Sequence, residues 1–194
     1  MKRIVLTGGP AAGKSRVCEA LAAADPQGIV LVPEAATQVY NALGSRWDRM
    51  NVDGRRDAQR RIYALQVAQE TRAAAAALPD QIVLLDRGTI DGATYWPDGP
   101  DAYWLDLRTN LAAEIARYDA VIWLETAAAL GIYDGSESNP VRFEAPDAAI
   151  ESGKRLLNLW GGHPNLQKVS AYPSIEEKIA AVKSLLDLHR PSHL

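Results

Sequence analysis

The sequence predicts an α/β fold, a parallel sheet with helices packed on its faces, and three observations carry that expectation. Four short apolar runs recur along the 194 residues, at Ile4–Leu6, Ile29–Val32, Ile82–Leu85 and Ala120–Leu124, and Leu166–Val169 reads as a short fifth strand; the four apolar runs set the pattern. They are continuous rather than alternating, as strands buried on both faces are. Helical segments separate them, which is the pattern of βα units. Directly after the first run comes Gly8 to Ser15, GGPAAGKS, which meets GxxxxGK[ST] at each fixed position.

That loop has a specific chemistry. Gly8 and Gly13 permit the turns that bring successive N–H groups round a polyphosphate, Lys14 reaches the β/γ-phosphates, and the Ser15 hydroxyl is placed to ligate Mg²⁺. Gly9, Pro10, Ala11 and Ala12 complete the cradle, with Arg16 just beyond it on the helix. The helix N-terminus adds a positive end aimed at the same anion.

Taken in order, Ser15–Ala24 reads as a helix closed by the Asp25-Pro26-Gln27-Gly28 turn. The second strand ends at Pro33-Glu34. A carboxylate just beyond the carboxyl end of a parallel strand lies where open α/β sheets bind ligands, so Glu34 is a candidate acid or base; a solvated charge opening the next helix is the plainer alternative. Ala35–Leu43 continues as a helix, and Gly44–Gly54 reads as a polar loop. The longest helical pattern runs from Arg55 to Leu78, with Ile62 and Leu65 on its apolar face. Arg55, Arg56, Arg60 and Arg61 cluster at its start, where positive charge opposes the helix dipole and suits either an anionic neighbour or a solvated face.

The third strand runs into Asp86-Arg87-Gly88. An aspartate ending a strand in a phosphate-loop protein reaches Mg²⁺ directly or through water. Arg87 stands where hydrolytic ATPases carry a water-activating glutamate, and its fork suits phosphate oxygens and transfer to an acceptor other than water. Asp91–Pro100 reads as a loop, and a helix follows from Asp101 or Ala102 to Arg117. Periodicity fails over residues 127–149, a lid segment in which Arg142 is the one basic residue and a candidate to close on the transferred group. Ile150–Trp160 and Ser174–Leu188 read as the last helices, the latter opened by a Ser174/Glu177 capping box. Trp47, Arg55, Arg56, Gln59, Gln66, Tyr95 and Trp96 are candidate lining for an acceptor pocket, and Ser170–Pro173 for a purine.

Composition narrows the class. Apolar residues make up 47% and charged residues 23% of the chain, with net charge -3 and a pI near 5.6. Nothing in that balance gathers nucleic acid or an anionic membrane. No run is long enough to cross a bilayer. The single cysteine, Cys18, cannot form an internal disulfide, which fits a cytoplasmic location. One domain over residues 1–194 is expected.

VLTGGPAAGKS at the start, VPEAA at Glu34, LLDRG at Asp86-Arg87, YDAVIWLE at the fourth strand and VRFE at Arg142 together resemble the AAA-domain predicted ATPase/kinase family of phosphate-loop (P-loop) proteins. That family includes the nicotinamide riboside kinase-like domain and is more distantly similar to deoxynucleoside and thymidylate kinases. The resemblance implies a P-loop NTPase three-layer sandwich whose five-stranded parallel sheet has the order 2-3-1-4-5. It also implies roles: Glu34 as the base that takes the acceptor's proton, Asp86 with Ser15 in the Mg²⁺ shell, and Arg87 and Arg142 as phosphate clamps beside Lys14. Two departures stand out. Asp134 is separated from Arg142 by GSESNPV, whereas the family acid directly precedes its lid arginine, and this chain has one lid arginine where deoxynucleoside kinases have several.

The expected activity is ATP-dependent phosphoryl transfer to a small-molecule acceptor, nucleoside- or nucleotide-like, with Mg²⁺. GTP is left open, although the Asn-Lys-x-Asp guanine motif is missing. The alternatives are a nucleotide-binding switch or adaptor and a slow NTPase. A homo-oligomer is compatible with either.

Overall fold

The computed structural model describes residues 1–131 and 145–190. Arg142 and Asp134, on which a lid role was expected, lie outside the described residues. The sheet is built from β1 (Lys2–Thr7), β2 (Ile29–Val32), β3 (Ile82–Asp86), β4 (Ala120–Leu124) and β5 (Leu166–Val169), all pairing in parallel in the order β2-β3-β1-β4-β5. This is the expected P-loop order.

Helices are α1 (Lys14–Ala24), α2 (Ala35–Leu43), α3 (Val52–Ala76), α4 (Pro100–Leu107), α5 (Leu111–Ile115), α6 (Pro146–Trp160) and α7 (Ile175–Asp187). Alternate residues of each central strand point to opposite faces. On one face Ile4, Leu6, Leu84 and Ile122 pack against Val17, Cys18 and Leu21 of α1 and Val182 and Leu186 of α7. On the other Val5, Leu85 and Val121 meet Trp160 of α6 and Tyr103 and Trp104 of α4. Cys18 is buried in the first of these layers, and burial pushes its thiol pKa up. Among the described residues no helix is long and apolar enough to cross a membrane.

Several boundaries differ from expectation, each for a local reason. The helix expected from Arg55 begins at Val52, because the Asn51 side chain accepts the Gly54 N–H at 2.8 Å and caps it. Its buried positions are Ala58, Gln59, Gln66 and Glu70 instead of an apolar stripe. The helix expected over Asp101–Arg117 is two helices, since Arg108 turns left-handed (φ 55°) and Asn110 caps α5 through the Ala113 N–H. Residues Thr89–Tyr95, which overlap the loop expected over Asp91–Pro100, form a 3₁₀ turn whose first five positions are buried. Helix α6 starts at Pro146, and Ala127–Leu130 is a short 3₁₀ turn, so regular structure enters both ends of the stretch 127–149 that was expected to lack it. The Ser174 cap is present, its hydroxyl accepting the Glu177 N–H at 3.2 Å.

The sheet centre should be the most sensitive part of the fold. Leu84→Ala, at a fully buried site, is expected to cost about 2–5 kcal/mol. Leu105→Ala, at a residue 81% exposed, should stay within about 0.5 kcal/mol, and denaturant melts of the two variants check the contrast.

Candidate active site

Strand β1 pairs with β3 on one side and β4 on the other, so the loop after it opens at the point where connections diverge to the two sides of the sheet. Two glycines there have no room for a side chain. A Cβ on Gly8 (φ 140°) would sit 2.2 Å from the Leu124 carbonyl oxygen, and one on Gly9 would sit 2.4 Å from that of Ala149. Loop and helix α6 therefore meet backbone to backbone. Ala11 is left-handed at φ 55°, and Thr126 Oγ1 donates to the Pro10 carbonyl at 2.8 Å. Lys14 folds its ammonium onto the Gly8 and Gly9 carbonyls at 3.0 and 2.9 Å.

Ser15 Oγ donates to Asp86 Oδ2 at 2.5 Å, joining the start of α1 to the end of β3. The other Asp86 oxygen, Oδ1, is buried with no hydrogen-bond partner. Burial raises the Asp86 pKa, Glu34 raises it further, and Lys14, Ser15 and Arg87 pull the other way. A hydroxyl beside a carboxylate with one idle buried oxygen is a donor set suited to a hard divalent cation that keeps waters and phosphate oxygens as its remaining ligands.

Arg87 follows in the left-handed region at φ 75°. Its Nε donates to Glu34 Oε1 at 2.5 Å and its Nη1 to Asp91 Oδ2 at 3.0 Å. Burial opposes the charge, but Tyr95, Glu34 and Asp91 around it more than compensate and keep the guanidinium protonated. Gln66 Nε2 donates to the Arg87 carbonyl at 3.1 Å and so fixes the unusual backbone. Glu34 is held on its other oxygen by Thr37 Oγ1 at 2.5 Å. Asp91 also accepts from Thr7 Oγ1 at 2.9 Å and from Trp160 Nε1 at 2.7 Å, which leaves it a saturated anchor.

Two cavities meet at this ion cluster. One, of about 420 Å³, is lined by Pro10, Ala11, Gly13, Lys14, Ser15, Arg16 and Asp86. The other, of about 600 Å³, is lined by Tyr40, Trp47, Arg55, Gln59, Gln66, Tyr95 and Trp96, with Ser152 and Arg155 from α6. Glu34 and Arg87 line both.

The residues expected to line one pocket do line this cavity, with one exception. Arg56 pairs with Asp53 and Asp98, away from the cavity. Arg60 and Arg61 likewise find the protein's own carboxylates, Asp106 and Asp57, whereas Arg55 stacks on Trp47 with its guanidinium 4.0 Å from the ring centroid. Sequence reasoning missed Asp91 and the α6 contribution. The first had a usable signal, an acid only four residues after Arg87 and so close to it along the chain. Behind the cavity a buried network supports Thr89: its hydroxyl donates to Glu114 at 2.7 Å, and Tyr118 donates to Glu70 at 2.9 Å. Burial, with a hydrogen bond to Glu114, pushes the Tyr63 phenol up to about 12. His163 serves the fold through the Tyr118 carbonyl at 3.0 Å and the Asn165 N–H at 3.1 Å.

A family model described as an AAA domain matches residues 3–178. No curated protein sequence is significantly similar to the chain. Among solved structures, NadR in complex with NAD and AMP-PNP superposes with a TM-score of 0.65 at 18% identity, over 94% of this chain and 49% of that one. The chain therefore spans about half the length of NadR. Deoxyadenosine kinase from M. mycoides with bound dATP gives 0.65 at 15% identity over 96% and 100% of the two chains. Thymidylate kinase from Candida albicans gives 0.63 at 11% identity over 97% and 92%. At these identities the likeness is one of fold. The chain belongs to the AAA-domain family, on the fold of the P-loop kinases.

Proposed function

We propose that the protein transfers a phosphoryl group from Mg·ATP in the smaller cavity to a small-molecule acceptor, nucleoside- or nucleotide-like, in the larger one. The observation that carries this is the placement of Glu34 and Arg87 on the wall common to both cavities. A nucleotide switch needs the phosphate cavity alone, and a hydrolase needs no second cavity lined with Tyr40, Trp47, Tyr95 and Trp96. NadR and deoxyadenosine kinase, which superpose on the chain, were crystallised with AMP-PNP and dATP, in line with ATP as donor.

The roles follow from position. The transition state of phosphoryl transfer is largely dissociative, so positioning and charge supply most of the catalysis. Lys14 exchanges the Gly8 and Gly9 carbonyls for phosphate oxygens, and loop N–H groups hold the rest of the polyphosphate. Asp86 and Ser15 would hold Mg²⁺, which when bound neutralises charge on the transferring group. Arg87 keeps Glu34 oriented at the junction and presents its guanidinium to the same space. Glu34 takes the proton of the acceptor hydroxyl. Arg142 is assigned as the lid arginine on the family resemblance, and the Ser170–Pro173 loop as the seat of the base.

Purified protein with Mg·ATP, screened against nucleosides, nucleotides, vitamin precursors and sugars, should show acceptor-stimulated ATP consumption that Lys14→Ala abolishes. Tight nucleotide binding without stimulation by any acceptor would favour the switch instead. Glu34→Gln should lower acceptor phosphorylation by about 10²–10⁴-fold while leaving nucleotide affinity intact. Turnover at the wild-type rate would remove Glu34 from the chemistry.

Asp86 gives a prediction of opposite sign for stability and activity. Its raised pKa means the folded state favours the protonated carboxyl, so stability falls as pH rises from the ordinary carboxylate range through the folded-state value. Asp86→Asn should stabilise the nucleotide-free protein at neutral pH by about 1 kcal/mol, a gain that vanishes toward low pH, while Mg²⁺-dependent turnover is lost. Thermal melts at both pH values check it, and a destabilised variant at neutral pH would contradict it.

A further inference from the structure

Lys178, on α7, has a buried side chain, and the ion cluster of Glu34, Arg87 and Asp91 at the cavity junction makes no use of it. Its Nζ donates to the Ala12 carbonyl at 3.1 Å and to the Glu125 carbonyl at 2.9 Å. Those acceptors belong to the outer wall of the phosphate loop and to the end of β4. Among the described residues no carboxylate oxygen lies within ion-pair distance of it. The Glu125 side chain is engaged elsewhere, accepting the Ala171 N–H at 3.0 Å on the connection after β5. Burial pulls the Lys178 pKa down, and Glu125 opposes that only in part.

A buried ammonium whose hydrogen-bond partners are two main-chain carbonyls is costly unless negative charge arrives from somewhere. The peptides around Ala12 supply the geometry. An amide whose carbonyl is tied outward presents its N–H side inward, and the loop's inner surface is the 420 Å³ cavity. Gly13 joins the same contact: a Cβ built there would lie 4.0 Å from Lys178 Cδ and 2.9 Å from Ile175 Cδ1, so α7 backs directly onto the loop. Thr126 holds the Pro10 carbonyl in the same outward sense.

We propose that Lys178 is a positioning residue of the nucleotide site. Its ammonium clamps the outer carbonyl of the phosphate loop to the end of β4, and its charge, lying behind the loop, is balanced by the polyphosphate in front of it. The proposal rests on the nucleotide-site assignment above and adds to Lys14 and Arg87 a further buried cation, contributed by the last helix. Lys178 touches neither the acceptor cavity nor the transferring group, so its effect is confined to nucleotide affinity.

The test is Lys178→Met, which keeps the length and apolar stem of the side chain, beside Lys178→Arg, which keeps the charge and donors. Nucleotide affinity is read by calorimetric titration with Mg·ATP, folding by circular dichroism and thermal melts, and turnover with whichever acceptor the screen identifies. Lys178→Met should bind Mg·ATP at least tenfold more weakly, with a matching rise in KM for ATP. Its kcat and its KM for the acceptor should stay within about threefold of wild type, and Lys178→Arg should recover most of the affinity. A folded Lys178→Met protein with wild-type affinity overturns the proposal, as does a uniform loss of kcat and both KM values. Should Lys178→Met not fold, Lys178→Gln, which keeps a donor without the charge, decides: a folded Gln variant with wild-type affinity is equally fatal, and a tenfold loss supports the role. Wild-type protein that shows no Lys14-dependent nucleotide binding would overturn the nucleotide site itself, a different result from binding that ignores Lys178.

Discussion

The Arg87 guanidinium, buried between Glu34 and Asp91, is the interaction on which the rest of the site depends. A buried cation of this kind holds only if its carboxylates are in place, and removing one partner of a buried pair typically costs about 3–5 kcal/mol. Each partner is tied to a different element. Glu34 leads from β2 into α2, Asp91 lies in the turn after β3, and Asp91 is secured in turn by Thr7 at the end of β1 and Trp160 at the end of α6. One ion cluster thus fixes the relative positions of three strand ends and a helix.

The polar interior of α3 follows from the same requirement. A helix that packed an apolar stripe here could not reach the Arg87 carbonyl, whereas Gln66 does, and Glu70 anchors both Gln66 and Tyr118 behind it. The left-handed backbone at Arg87 is a strained state for a residue with a side chain. It persists because Gln66 binds its carbonyl, the Leu6 carbonyl accepts its N–H at 3.0 Å, and two carboxylates hold its side chain. Cavity wall and helix core are here one hydrogen-bonded structure.

What the sequence disclosed and what it hid divide along physical lines. The positions of β1 to β4 were legible because buried parallel strands are continuous apolar runs, and the phosphate loop because its glycines and lysine occupy fixed positions. Glu34 and Asp86 were legible as carboxylates at strand ends. Features made by tertiary partners were not. Arg87 reads from sequence as a phosphate fork, yet in the fold its donors are shared with two carboxylates, the nearby Asp91 and Glu34, which lies 53 residues away. The buried face of α3 defeated periodicity because its inward residues are Gln59, Gln66 and Glu70, which a hydropathy pattern assigns to solvent. The break at Arg108 escaped notice because a left-handed arginine leaves no compositional mark, unlike the glycine that more often ends a helix.

The backbone contact between Gly9 and α6 also bears on how such a protein can diverge. With no side chain between them, the loop and positions 149 and 153 must keep their small residues together, and α6 also carries Trp160 to Asp91. The opposite rim of the larger cavity is under no such constraint: Trp47 and Arg55 stack on each other, at residues that the loop does not touch. The larger cavity is therefore most readily reshaped by changes on the α2–α3 side, which leave the contact between the loop and α6 untouched.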